Sequence, residues 1–131
     1  MKATELRIGN LVYRSGFLYE ERNKFSERTV DHNSITACFI SPESFKPIPL
    51  TEERLVKFGF VFINKMNIYG WYLEVGNRML CWCHSPEINL EFKEGQCDEY
   101  QNTLYDFNCE YVHQLQNLYF TLTGEELTLQ P

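Results

Sequence analysis

Two apolar runs flanking Gly76-Asn77 leave this chain few ways to fold. That dipeptide suits the two-residue type I′ or II′ turn, whose twist matches a pair of antiparallel strands. Trp71–Val75 and Arg78–His84 therefore read as a hairpin, with Val75 facing Arg78, Leu73 facing Leu80 and Trp71 facing Trp82. Strand side chains alternate between faces. Trp71, Leu73, Val75, Leu80 and Trp82 should share the core face, and Tyr72, Met79, Cys81 and Cys83 the other. Ser85-Pro86 ends the second strand, Ile88–Phe92 reads as another, and Phe60–Ile63 as a short strand before the hairpin.

Two helices are expected around this sheet. Thr51 is a suitable N-cap, with Glu52 and Glu53 in the first turn, where the helix dipole favours negative charge. Leu50 and Leu55 have the spacing of a hydrophobic staple, and Glu53 and Lys57 form an i,i+4 pair in the favourable order. Gly59 and Phe60 complete a Schellman stop against Leu55. The second helix is expected from Cys109 or Glu110 to Leu122, with Asn108 as a cap and Gly124 as the stop. Val112, Leu115, Leu118, Tyr119 and Leu122 make its apolar stripe. Gln114 and Thr121 fall mostly off that stripe, as do His113, Gln116 and Asn117.

The region before the helices is less regular. Leu6–Tyr13 and Ile35–Ile40 have strand character, Gly9-Asn10 and Ser15-Gly16 are turn or bulge signals, and Glu20–Ser34 reads as a long hairpin loop or ragged strand pair. Three prolines within Pro42–Pro49 favour extended chain. The expectation is one domain over residues 1–131, with an N-terminal β subregion (1–46), for which an SH3-like half-barrel is one form, and an α+β subregion (47–131). Glu126–Leu129 would add a terminal edge strand. The fold class is α+β: a mostly antiparallel twisted sheet with one short and one longer helix.

With 131 residues and 44% hydrophobic content the chain can bury a core, and its net charge of −6 disfavours a nucleic-acid partner while leaving room for a local basic stripe. Charged residues near Met1 and the lack of any long apolar run argue against export and membrane insertion, hence for the cytoplasm. Five irregularly spaced cysteines (Cys38, Cys81, Cys83, Cys97, Cys109) are expected as reduced thiols.

Cys81-x-Cys83-His84 is the cluster nearest to a metal site, with Cys97, Cys109 or His113 as further ligands. The expected strand sets His84 on the face opposite the two cysteines, so no metal and no cofactor is expected. No flanking pattern supports a Cys–His nucleophile pair among His32, His84, His113 and the cysteines. Acid pairs at Glu20-Glu21, Glu52-Glu53, Asp98-Glu99 and Glu125-Glu126 read as solvated charge, and no glycine loop suits a phosphate. Aromatics are abundant; Tyr69, Trp71, Tyr72 and Trp82 lie in or beside the hairpin, and Tyr72 alone faces away from the tryptophans.

The segments Glu5–Tyr13 (ELRIGNLVY), Lys46–Glu53 (KPIPLTEE), Leu55–Phe60 (LVKFGF) and Tyr111–Leu127 together resemble a family of short Bacteroidetes proteins of uncharacterised activity, often found in phage or mobile-element neighbourhoods. The resemblance implies a cytoplasmic, phage-associated accessory role and no catalytic residue. The expected function is a non-enzymatic binding domain with a protein partner. A nucleic-acid accessory protein is the alternative, and a small metal- or thiol-dependent enzyme comes third. His113, Gln116 and Asn117 are expected as an exposed polar surface, because Gln116 and Asn117 follow His113 by three and four residues on the helix. With Tyr72 they are the candidate binding residues.

Overall fold

The computed structural model describes residues 1–16, 19–65, 68–84, 87–92 and 103–130; residues 19, 65, 68, 83, 84, 87, 91, 92 and 103–106 enter through the backbone alone. The chain divides into two compact units, residues 1–49 with 111–126, and residues 50–110 with 127–131. The class is α+β.

In the first unit, β1 (Leu11–Ser15), β2 (Phe25–Thr29) and β3 (Phe45–Lys46) form an open antiparallel sheet in the order β2-β1-β3. The strand read from Leu6 begins only at Leu11, because Asn10 closes a turn before it. The Arg7 amide donates to Asn10 Oδ1 at 2.7 Å, and the Asn10 amide to the Arg7 carbonyl at 3.1 Å. Helix α1 (His32–Ile40) replaces the strand expected at Ile35–Ile40. Its cap is a reciprocal box: the Ser34 amide donates to Asp31 Oδ1 at 2.7 Å, and the Asp31 amide to Ser34 Oγ at 3.3 Å. Val12, Val30, Cys38 and Phe45 form a core cluster, with Leu6, Ile35 and Ala37 packed against it.

Helix α3 (Val112–Thr123) belongs to this unit. It starts at Val112, two to three residues after the expected start at Cys109 or Glu110. Asn108 is not its cap but lies in a strand; Tyr111 is the cap residue, and its amide donates to Gln114 Oε1 at 3.0 Å. Gly124 ends the helix in the left-handed conformation, φ 72°. The Pro49–Tyr111 bridge and a 2.9 Å bond from the Val112 amide to the Ile48 carbonyl tie the helix start to the proline segment.

The second unit begins with α2 (Glu52–Lys57), whose local signals are realised. Thr51 Oγ1 accepts from the Arg54 amide at 3.3 Å, Lys57 pairs with Glu53 at 3.2 Å, and the Phe60 amide reaches the Leu55 carbonyl at 3.0 Å. Strands β4 (Val61–Lys65), β5 (Ile68–Val75), β6 (Arg78–His84), β7 (Glu87–Phe92) and β8 (Thr103–Asn108) form one antiparallel sheet in chain order. The register across β5 and β6 is the expected one: Trp71 with Trp82, Leu73 with Leu80, Val75 with Arg78. Burial does not follow a single face. Leu80 is buried and Trp71, Leu73, Val75 and Trp82 half-buried, while Tyr72 and Cys81, on the other face, are buried as well. Glu126–Leu129 forms no strand; Leu127 is buried, and the Gln130 amide donates to the Lys57 carbonyl at 2.6 Å. Ser85-Pro86 lies outside the described residues.

Candidate functional site

An open cleft of about 790 Å³ lies in the first unit and is built from four short stretches of chain. The end of β1 supplies Arg14, Ser15 and Gly16; Arg22, Asn23 and Phe25 come from the approach to β2 and its first residue. The end of α1 and the turn after it supply Ala37, Ile40, Ser41, Glu43 and Ser44, and β3 supplies Phe45 and Lys46. The stretches meet because β1 pairs with both of its neighbours, Ser15 opposite Phe25 and Arg14 opposite Phe45. Gly16 is needed for the close approach: a Cβ there would fall 2.3 Å from Glu21 Cβ.

The lining holds three cations, Arg14, Arg22 and Lys46, and one acid, Glu43. Two of these cations sit on aromatic rings. The Arg14 guanidinium lies 5.0 Å from the Phe45 centroid, and the Lys46 ammonium 4.1 Å from that of Phe25. Lys46 starts on β3 and Phe25 on β2, so the lysine side chain spans the strand between them, where Ser15 is buried. A ring face attracts a cation through its quadrupole while carrying no net charge of its own. Arg14 and Arg22 also have partners within the chain. Ile40, which lines the cleft, is 75% exposed. A smaller hollow of about 370 Å³ shares Arg14, Ser15 and Gly16 and adds Arg28, but Glu21 and Asp31 balance its cations.

The side chains singled out from the sequence are placed differently. His113 and Gln116 are 1% and 2% exposed, which corrects their expected position on an outer polar face. Helix α3 turns that face towards residues 5–11. Gln116 Oε1 accepts from the Leu11 amide at 2.8 Å and its Nε2 donates to the Gly9 carbonyl at 3.3 Å. Asn117, half-buried, accepts from Asn10 Nδ2 at 2.9 Å and donates to the Glu5 carbonyl at 3.1 Å. Both amides thus satisfy backbone or side-chain groups of the turn ahead of β1. His113 stacks on Tyr111 at 5.9 Å, and its Nε2 lies 3.8 Å from the Glu5 carboxylate. Neither ring nitrogen makes a hydrogen bond, and burial holds the imidazole below its ordinary pKa, with Glu5 opposing. Tyr72 belongs to the second unit and is 7% exposed, so it too is corrected from an outward position.

Cys38, Cys81 and Cys109 are buried and in no disulfide; burial raises the Cys38 pKa and pushes that of Cys109 up to about 12. A thiol held so far above neutrality is a poor nucleophile. Among the described residues no group of three or more His, Cys, Asp or Glu side chains could hold a metal ion. The side chains of Cys83 and His84, and all of Cys97 and Asp98-Glu99, lie outside them. No helix among the described residues is long and apolar enough to cross a membrane.

None of the cleft residues stood out in the sequence, although a signal was there. The first 49 residues carry seven bases and six acids, and the remainder five bases and twelve acids. Comparison with protein families, with curated proteins and with solved structures finds no match for the chain.

Proposed function

We propose that the chain is a non-catalytic interaction domain that docks a segment of a partner protein in the cleft of its first unit. The observation that carries this reading is the cleft itself. It combines an exposed apolar side chain, Ile40, with polar side chains in a volume typical of ligand sites, about 300–1,000 Å³. Exposed apolar side chains beside a concave polar wall are what an interface anchor needs. The resemblance of the four segments within residues 5–13, 46–53, 55–60 and 111–127 to short Bacteroidetes proteins supports an accessory role of phage or mobile-element origin, in the cytoplasm. A nucleic-acid accessory role draws on the same cations and rings, and the net charge of −6 weighs against it.

The reading is tested by selecting a random peptide library against the full chain and against an Ile40→Asp variant. Ile40 is largely exposed, so the variant should melt within a few degrees of the native chain. Peptides enriched on the native chain are expected to lose most of their binding to the variant. Enrichment that ignores Ile40→Asp, or no enrichment, would contradict the proposal.

A further inference from the structure

We infer that the outer edge of β4 is a self-association surface, which pairs antiparallel with β4 of a second copy of this chain about a two-fold axis. The inference goes beyond the cleft reading and concerns the second unit alone. An open sheet edge is a template for another strand, and chains usually blunt it with charge, proline or a bulge. Val61-Phe62-Ile63-Asn64 carries neither charge nor proline, and its register with β5 runs without a bulge. The one charged residue of β4 is Lys65, at its end. Val61 is 62% exposed and Phe62 43%. Among the described residues, no backbone hydrogen bond outside the sheet involves residues 61–65.

Backbone alternation gives the groups that this edge offers. The two-residue turn makes Val75 and Arg78 a hydrogen-bonded pair, so Leu73 and Trp71 bond towards β6 as well. Tyr72, Gly70 and Ile68 then bond towards β4, where they stand opposite Val61, Ile63 and Lys65. Phe62 and Asn64 direct their amides and carbonyls outward. A two-fold axis at Ile63 sets Phe62 opposite Asn64 of the second copy, and Asn64 opposite its Phe62, so the outward groups of both strands pair. The two Phe62 residues become diagonal neighbours, within reach for aromatic side chains. Phe62 already meets Tyr69 at 5.3 Å and Trp71 at 5.2 Å, and the pairing extends that cluster across the axis.

Charge is compatible with a copy as the occupant. Two chains of net charge −6 repel, but residues 54–73, which hold β4 and most of β5, are the longest stretch without Asp or Glu. The two Lys65 residues fall four positions apart, about 13 Å along the strands and beyond the screening length of about 8 Å. A copy thus meets its own backbone complement and its own apolar side chains, with the one charge set apart from itself. A five-residue edge is small beside the roughly 800 Å² per partner of a stable interface, so the dimer should be weak and reversible.

The test is sedimentation velocity of the full chain from about 1 µM to about 1 mM. The mean mass should rise from 15.6 kDa towards twice that value. Asn64→Pro removes an outward amide where an edge strand tolerates proline, and should keep the chain monomeric while melting within a few degrees of the native chain. Val61→Glu puts an acid opposite Lys65 of the second copy, and Val61→Lys a base, both at an exposed position. At low salt the first should tighten the dimer and the second weaken it, each by about tenfold over the two pairs of a dimer. A native chain that stays monomeric throughout, a dimer that a folded Asn64→Pro leaves intact, or equal effects of the two Val61 variants would overturn the proposal. If Asn64→Pro does not fold, the opposed effects of the Val61 variants decide. Mass that grows past a dimer would overturn the two-fold pairing in favour of contacts between unlike edges. Val61 and Asn64 do not line the cleft, so each of these outcomes is separable from peptide enrichment that depends on Ile40.

Discussion

Burial decides how His113 behaves. Its ring is 1% exposed and makes no hydrogen bond, so the neutral form is favoured in the folded chain and the pKa lies below the ordinary 6.5. Below that ordinary value the unfolded chain takes up a proton that the folded chain resists. His113 therefore contributes stability above about pH 6.5 that is lost as the pH falls through its folded pKa. Asp31 and Glu126 have lowered pKa values too, from a side-chain bond to Ser34 and from Arg7, and titrate at more acidic pH. The melting temperature of the native chain is expected to drop between about pH 7.5 and pH 5 more steeply than that of His113→Leu. Thermal melts across that range check it, and parallel profiles would contradict it. The same burial explains why the helical wheel misassigned α3. Gln116 and Asn117 were legible as polar, but not the turn at residues 5–11 that needed their amides.

At the scale of elements, the sequence was readable wherever several local rules agreed. Helix α2 combines a threonine cap, an acidic first turn and a Schellman glycine, and the β5–β6 register follows from a two-residue turn. Helix α1 was missed because Ile35, Thr36, Cys38, Phe39 and Ile40 favour strands, whereas the Asp31–Ser34 box and core packing favour a helix. A capping motif within a polar run is easily read as loop. Asp31→Ala removes the acceptor for the Ser34 amide and should lower stability, seen as a lower urea midpoint with an unchanged slope. No change in the midpoint would show that packing, not the cap, holds α1 in place.

At the scale of the whole molecule, charge is distributed unevenly, and the cleft sits in the part where bases and acids nearly balance. The four stretches that line it are ordinary when read in sequence. Ser15 and Gly16 read as a turn or bulge, Arg22 and Asn23 as loop, and Ile40 as the end of a strand. Only pairing across β1 and the turn after α1 bring them together, so the site depends on topology that local patterns do not carry. The claim most open to direct measurement is that this cleft is where a partner binds. Titrating the ¹⁵N-labelled full chain with a peptide enriched on it from the random library, and following backbone amide shifts, tests it. Perturbations are expected at residues 14–16, 22–25 and 37–46, with the β5–β6 hairpin unchanged. Shifts centred on Trp71–Trp82, or none at a peptide concentration that saturates binding, would contradict the account.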